Sequence, residues 1–373
     1  MKIAFRVDAS LEIGTGHVMR CLTLAEALRD KGATVVFVCR EHPGHLCDLI
    51  YAKGFTVFRP AMGYGATQDQ DKIRDSGKSA PQLAHAHWLG TEQGIDARQT
   101  LEALTAGSVW DWVIVDHYAL DIHWESVMRK ITKNIMVIDD LADRRHDCEI
   151  VSDQNLFEDR LNRYSGLVGS NTLQFLGPDY ALLRKEFSLH RPCRIRDIPD
   201  KKQMVIGFGG VDMSNAAGRV ISCVKNEFNR HMDIRVVAGM VNPNFQNLAE
   251  TCKGLENIKL FRNVDCVAQL YAGAYIAIGG GGVSALERCA LGIPSLIYSV
   301  AENQVTPSIQ LSRIGAAVYM GKIEDIRKDL LIETLHRLIN DTDAWFKISR
   351  RAMKTVDAKG TSRIVACIMG KKE

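Results

Sequence analysis

The sequence predicts an α/β protein built from two Rossmann-like, doubly wound domains. Short runs rich in Val and Ile alternate with amphipathic stretches of helical length along the whole chain, a rhythm that implies βα units and parallel sheets. That rhythm breaks at a polar, proline-containing stretch near residues 188–202 and then starts afresh. A length of 373 residues also exceeds one comfortable core and suits two, each of roughly 150–200 residues.

In the first half the strand-like runs are "KIAFRVD" (2–8), "TVVFVC" (34–39), "WVIVDH" (112–117), "NIMVIDD" (134–140) and "CEIVSDQN" (148–155). A helix is predicted over 17–31, because Val18, Leu22, Ala25 and Leu28 share one face and Gly32 stands where a helix-terminating glycine belongs. The Gly-containing polar segment 63–82 reads as a surface excursion. "SLHRPCRIRDIPDKK" follows "GPDYALLRKEF" and supplies the boundary, giving an N-terminal domain over 1–190 and a C-terminal domain over 200–373. Strands then recur at 203–210, 233–239, 257–263, 275–282 and 294–299, and the tail reads as one or two helices. Tandem domains of this kind face a cleft, and their ligands bind at the carboxyl ends of strands.

Composition excludes several classes of function. A net charge of +3 with no basic stripe among aromatics argues against nucleic acid, although it suits a phosphorylated small substrate. No apolar run approaches the ~18 residues of a membrane span, so no membrane insertion is expected. Arg6 and Asp8 interrupt the first apolar run where a secretory signal needs continuity, which makes a cytoplasmic protein the expectation. The ten cysteines are scattered without a CxxC pair and read as reduced, mostly buried thiols.

Two glycine loops stand at carboxyl ends. In "YIAIGGGGVSALERCALGIPSLIYS", Gly279, Gly280, Gly281 and Gly282 end a strand and Val283 opens a helix, so bare backbone N–H groups can meet a diphosphate at the positive end of the helix dipole. Ser284 can donate a hydroxyl there, and Glu287 can accept the hydroxyls of a ribose. The alternative is a tight strand-to-helix turn. The loop lacks the GK[ST] ending of a Walker A motif. After the next strand, Glu302, Asn303 and Gln304 serve either nucleotide contacts or helix capping.

The other loop, "IGTGHVMRC", places Gly14, Thr15, Gly16 and His17 after the first strand. It lacks the third glycine of the dinucleotide fingerprint, although Glu41 after the second strand imitates the acidic ribose ligand. His17 falls in the first helical turn, where the dipole favours a neutral imidazole able to act as a general base. Simple hydrogen bonding within the loop is the plainer role.

Further polar residues gather at strand ends: Asp116, His117 and Tyr118; Asp139, Asp140, Asp143, Arg144 and His146; and Asp153 to Asn155. Their spacing matches no compact metal motif, and substrate contacts or helix caps account for them more simply. His85, His87 and Trp88 in "HAHWLGTEQGIDA" form either a sugar-facing loop or a packing cluster.

Those blocks, taken with "MKIAFRVDASLEIGTGHVMRCLTLAEALR", "VIVDHYALD", "IDDLADRRHDCEIVSDQN" and "LGPDYALLRKEF", resemble the UDP-2,4-diacetamido-2,4,6-trideoxy-β-L-altropyranose hydrolases of pseudaminic acid biosynthesis, from residue 1 to about 318. The resemblance implies the GT-B architecture of nucleotide-sugar glycosyltransferases and a small-molecule UDP-sugar substrate. It further implies that His17 activates water against the anomeric carbon, that Gly279 to Gly282 with Ser284 and Glu287 hold UDP, and that Tyr118 lies near the sugar. Neither a metal nor a cofactor is implied. A final helix returning to the first domain is expected, as is the absence of an added acetyltransferase-like domain.

Overall fold

A computed structural model describes residues 1–62, 83–105, 109–195, 197–198, 202–228, 232–264 and 266–370. The excursion expected over 63–82 lies outside the described residues. The chain forms two compact units, Met1–Asp153 with Asp159–Leu176, and Gln154–Glu158 with Gly177–Glu373.

The first unit holds β1 (Lys2–Val7), β2 (Thr34–Val38), β3 (Thr56–Phe58), β4 (Trp112–Asp116), β5 (Ile135–Ile138), β6 (Ile150–Asp153) and β7 (Leu173–Leu176). They form one parallel sheet in the order β3-β2-β1-β4-β5-β6-β7. The second unit holds β8 (Gln203–Gly207), β9 (Asp233–Ala238), β10 (Ile258–Arg262), β11 (Ile276–Gly280), β12 (Ser295–Ser299) and β13 (Val318–Lys322). Its parallel order is β10-β9-β8-β11-β12-β13. Both are doubly wound sheets, as the sequence predicts.

Central strands are buried on both faces and mostly apolar because helices cover both faces of a parallel sheet. Ile3, Phe5 and Val7 of β1 are fully buried, as are Ile276, Ala277 and Ile278 of β11. The sequence reading misses β3, β7 and β13, all edge strands that carry little or no full burial and so little apolar signal. The predicted helix is found at Gly16–Arg29 and stops before Gly32, whose φ is +88°.

The chain passes into the second unit at Gly177, ahead of the 188–202 stretch at which the sequence places the boundary. Packing explains the difference, since Ala181, Leu183 and Phe187 are buried with Val205 and Ala277 of the second sheet and Leu286 of the helix that follows β11. The tail makes three helices, Lys328–Asn340, Thr342–Thr355 and Gly360–Ile368. Trp345 anchors the middle one by stacking on Tyr275 at 5.3 Å. The last helix belongs to the second unit and runs against Pro178–Tyr180, with Gly360 touching Ala181 backbone.

Strand order reverses beside β1 in one sheet and beside β8 in the other, so the β1/β4 and β8/β11 carboxyl ends are the positions where doubly wound folds bind ligands. At the second of these the backbones close tightly. A Cβ on Gly279 would lie 2.3 Å from the Gly207 carbonyl oxygen and 2.8 Å from Arg288 Nη1. Gly279→Ala is therefore expected to lower the urea-unfolding free energy by about 1–3 kcal/mol, the usual cost of overpacking; an unchanged midpoint would contradict this packing.

Candidate active site

The loop leaving β1 is tied internally before it becomes a helix. Ser10 Oγ accepts from the Glu12 and Ile13 N–H groups at 3.1 and 2.9 Å, and the Gly14 N–H donates to the Ser10 carbonyl at 2.9 Å. Gly14 takes a φ of +81°, which favours glycine. A Cβ on Gly16 would meet nothing within 4 Å, and Thr15 makes no side-chain cap. The first N–H groups of this helix therefore lack both intrahelical and side-chain partners.

His17, in that first turn, is only 8% exposed. Its Nδ1 lies 2.6 Å from Oδ1 of Asp116, the last residue of β4. Asp116 is fully buried and also accepts from Arg20, through Nε to Oδ2 at 2.6 Å and Nη2 to Oδ1 at 2.7 Å. Burial alone pushes the Asp116 carboxyl up, but the Arg20 guanidinium and His17 outweigh it and hold it well below the usual carboxylate range. An ionised carboxylate only accepts, so Nδ1 of His17 carries a hydrogen, and the tautomer compatible with that contact has its lone pair on Nε2. That is the tautomer a base acting through Nε2 requires.

Arg20 Nη1 continues to Asp140 Oδ2 at 3.1 Å, and the Tyr118 hydroxyl donates to Asp140 Oδ1. Burial, then Asp140, raises the Tyr118 phenol well above its ordinary value. Tyr118 is thus buried with its hydroxyl engaged within the protein, and it meets His17 through its ring, edge to face at 4.7 Å. His85 and Trp88 continue this aromatic contact, at 5.4 and 5.5 Å from Tyr118.

The other strand-end acids serve the scaffold. Buried Asp8 binds Arg6 at 2.6 Å and the Arg40 N–H at 2.7 Å, with His117 Nε2 at 3.3 Å. Asp139 pairs with Arg144 at 2.9 Å, and His146 with Glu125 at 2.6 Å. Glu41, the imitation ribose ligand, is an exposed partner of Arg59. Among the described residues no group of three or more His, Cys, Asp or Glu is arranged to hold a metal ion.

In the second unit, Gly279 and Gly280 complete β11, Gly282 caps the helix Val283–Ala290 without a side-chain bond, and Ser284 is half-buried in its first turn. The Gly281 N–H is already committed to Gln304 Oε1 at 3.1 Å, and the same oxygen accepts from the Val300 N–H at 3.2 Å. Gln304 is therefore a brace that shapes the loop, while its Nε2 lies toward Gly282, 3.7 Å from where a Cβ would stand. Arg288, fully buried, donates to the Gly280 carbonyl from beneath at 2.8 Å. The Glu287 carboxylate accepts from Arg184 at 3.1 Å, and Asn303 is exposed. The N–H groups of Gly282, Val283 and Ser284, and not that of Gly281, are the ones a helix start presents outward.

Sequence reasoning missed Arg20 and Arg184. Arg20 was available as a signal, since it stands three residues after His17 on one helix face. Arg184 and Glu287 are 103 residues apart, and nothing local links them.

Over 99% of its length the chain shares the fold of solved structures that include Acinetobacter baumannii MurG (TM-score 0.61, 13% identity, 99% of that chain covered) and CalG4, the calicheamicin glycosyltransferase (TM-score 0.64, 14% identity, 97% covered). The fold is accordingly of the GT-B type, two Rossmann-like parallel-sheet domains. No protein-family model matches the chain. Among curated proteins it is 26% identical to the UDP-2,4-diacetamido-2,4,6-trideoxy-β-L-altropyranose hydrolase of Campylobacter jejuni over 272 residues, covering 72% of this chain and 81% of the hydrolase. The resemblance read from the sequence blocks is borne out by that similarity. The chain is also 25% identical to an uncharacterized protein of Methanocaldococcus jannaschii and 23% identical to the spore coat polysaccharide biosynthesis protein SpsG of Bacillus subtilis. It spans 57% and 59% of the length of these two relatives. No helix among the described residues is long and apolar enough to cross a membrane.

Asp116→Asn is expected to cost about 3 kcal/mol of stability, because it strips a buried guanidinium of its main counter-charge. The folded value of Asp116 lies below that of the unfolded chain, about 3.9. Its contribution is thus complete above that pH and fades as pH falls through the folded value. Urea unfolding of the wild type should lose stability below about pH 4 more steeply than the variant; equal slopes would contradict the ion pair.

Proposed function

We propose that this chain is a metal-independent UDP-sugar hydrolase that converts UDP-2,4-diacetamido-2,4,6-trideoxy-β-L-altropyranose to UDP and the free sugar, as in pseudaminic acid biosynthesis. One observation carries the reading: His17 is held by buried Asp116 and Arg20 in the tautomer that leaves Nε2 basic. The similarity to the Campylobacter jejuni hydrolase supports this choice of substrate.

In this reaction Nε2 of His17 takes a proton from water as the water oxygen bonds to C1. The bond from C1 to the diphosphate oxygen breaks with inversion, and UDP departs with the electron pair. The second unit binds the UDP. The N–H groups of Gly282, Val283 and Ser284 receive the diphosphate at the helix start, the Gln304 amide lies beside them, and Glu287, steadied by Arg184, takes the ribose. Gly14, Thr15 and Gly16 let substrate approach the base, Tyr118 backs the His17 ring, and Asn303 completes the contacts.

A general base is worth about 10²- to 10⁴-fold, so His17→Asn should lower kcat at least about a hundredfold while calorimetry finds UDP affinity unchanged. Undiminished turnover would remove His17 from catalysis. Glu287→Ala should instead weaken UDP binding with Gly279 to Gly282 intact; an unaltered Kd would remove the ribose role.

The solved glycosyltransferases favour a second reading, in which His17 deprotonates an acceptor hydroxyl. Incubation with the UDP-sugar in H₂¹⁸O separates the two. Label at the anomeric oxygen of a free sugar supports hydrolysis, whereas UDP release only on adding an acceptor supports transfer.

A further inference from the structure

We propose that Trp88, braced by Glu12, is the specificity-determining wall of the sugar site and packs against the methyl groups of a diacetamido-trideoxy sugar. The inference rests on the UDP-sugar reading above. Trp88 is the exception among the five tryptophans of the chain: Trp110, Trp112, Trp124 and Trp345 are buried, while Trp88 stays partly exposed. It stands one ring away from the base. His17 meets Tyr118 at 4.7 Å, Tyr118 stacks on Trp88 at 5.5 Å with 26° between planes, and His85 closes on Trp88 at 4.3 Å.

The indole is also held in place from the catalytic loop itself. Glu12 Oε1 accepts from Trp88 Nε1 at 3.1 Å and meets His87 Nε2 at 2.7 Å, so one carboxylate of the loop preceding His17 fixes two rings. Packing alone does not call for an aromatic with its polar edge tied to an exposed acid and its ring left partly in water. With Tyr118 buried behind it and its own indole N–H given to Glu12, the partly exposed Trp88 presents ring surface and no free donor. Ring faces suit apolar groups. A sugar with two acetamido groups and a deoxygenated C6 carries three methyls where an ordinary hexose carries hydroxyls, and its methyl-bearing edge matches such a wall.

The test compares kcat/KM for this UDP-sugar with that for UDP-N-acetylglucosamine, which keeps its C4 and C6 hydroxyls. Trp88→Leu should lower the preference for the diacetamido-trideoxy sugar about tenfold through KM, with UDP affinity unchanged, and Trp88→Phe should restore most of it. An unchanged preference would overturn the proposal. The free 2,4-diacetamido-2,4,6-trideoxy-L-altrose should also change the tryptophan fluorescence of the wild type, a response that Trp88→Phe abolishes. A response that survives in Trp88→Phe, or none in the wild type, would overturn it as well. If the wild type turns over neither nucleotide sugar, the hydrolase reading fails, and the fluorescence titration still decides whether Trp88 contacts the sugar.

Discussion

One buried carboxylate organises the polar cluster of the first unit. Asp116 ends β4, has no access to water and is shared by His17 and Arg20. An isolated anion in that position would be neutralised by its desolvation cost, and the guanidinium keeps it ionised. Because it stays ionised, it dictates which imidazole nitrogen bears the hydrogen. Arg20 extends the constraint to Asp140 and through it to Tyr118, whose ring flanks His17. The orientation of the His17 imidazole is therefore fixed by residues from β4, from the chain after β5 and from its own helix.

The fold explains why those residues meet. In a parallel sheet every strand delivers its following loop to the same edge, and the order reversal beside β1 opens space above β1 and β4. His17 comes from the first of these strands and Asp116 from the second. The second unit repeats the device at β8 and β11 with glycine in place of side chains, since Gly279 lies too close to the Gly207 carbonyl for a Cβ. One unit offers a positioned imidazole and the other an open helix start.

Much of this is legible in the sequence. Central strands announce themselves because they are apolar on both faces, and His17 and the four-glycine loop stand out by their place after such strands. Edge strands such as "TVF" and "VYMGK" do not, because partial exposure dilutes the pattern. Pairings across long sequence distance are equally silent: neither Asp116 nor Arg20 identifies the other, and the structure spans 96 residues to join them. The engagement of the Gly281 N–H is silent for the same reason, as Gln304 comes from beyond the next strand to occupy it. The aromatic trio His85, His87 and Trp88 is ambiguous in sequence because Glu12 and Tyr118, which meet it, lie far along the chain.

The most direct test of the central claim is ¹⁵N NMR of the His17 ring at mildly alkaline pH, assigned by comparison with His17→Asn. The account predicts a neutral imidazole protonated at Nδ1 with a strongly deshielded hydrogen shared with Asp116, and an unprotonated Nε2. A ring protonated at Nε2 and bare at Nδ1 would contradict it, because the buried carboxylate would then not orient the base.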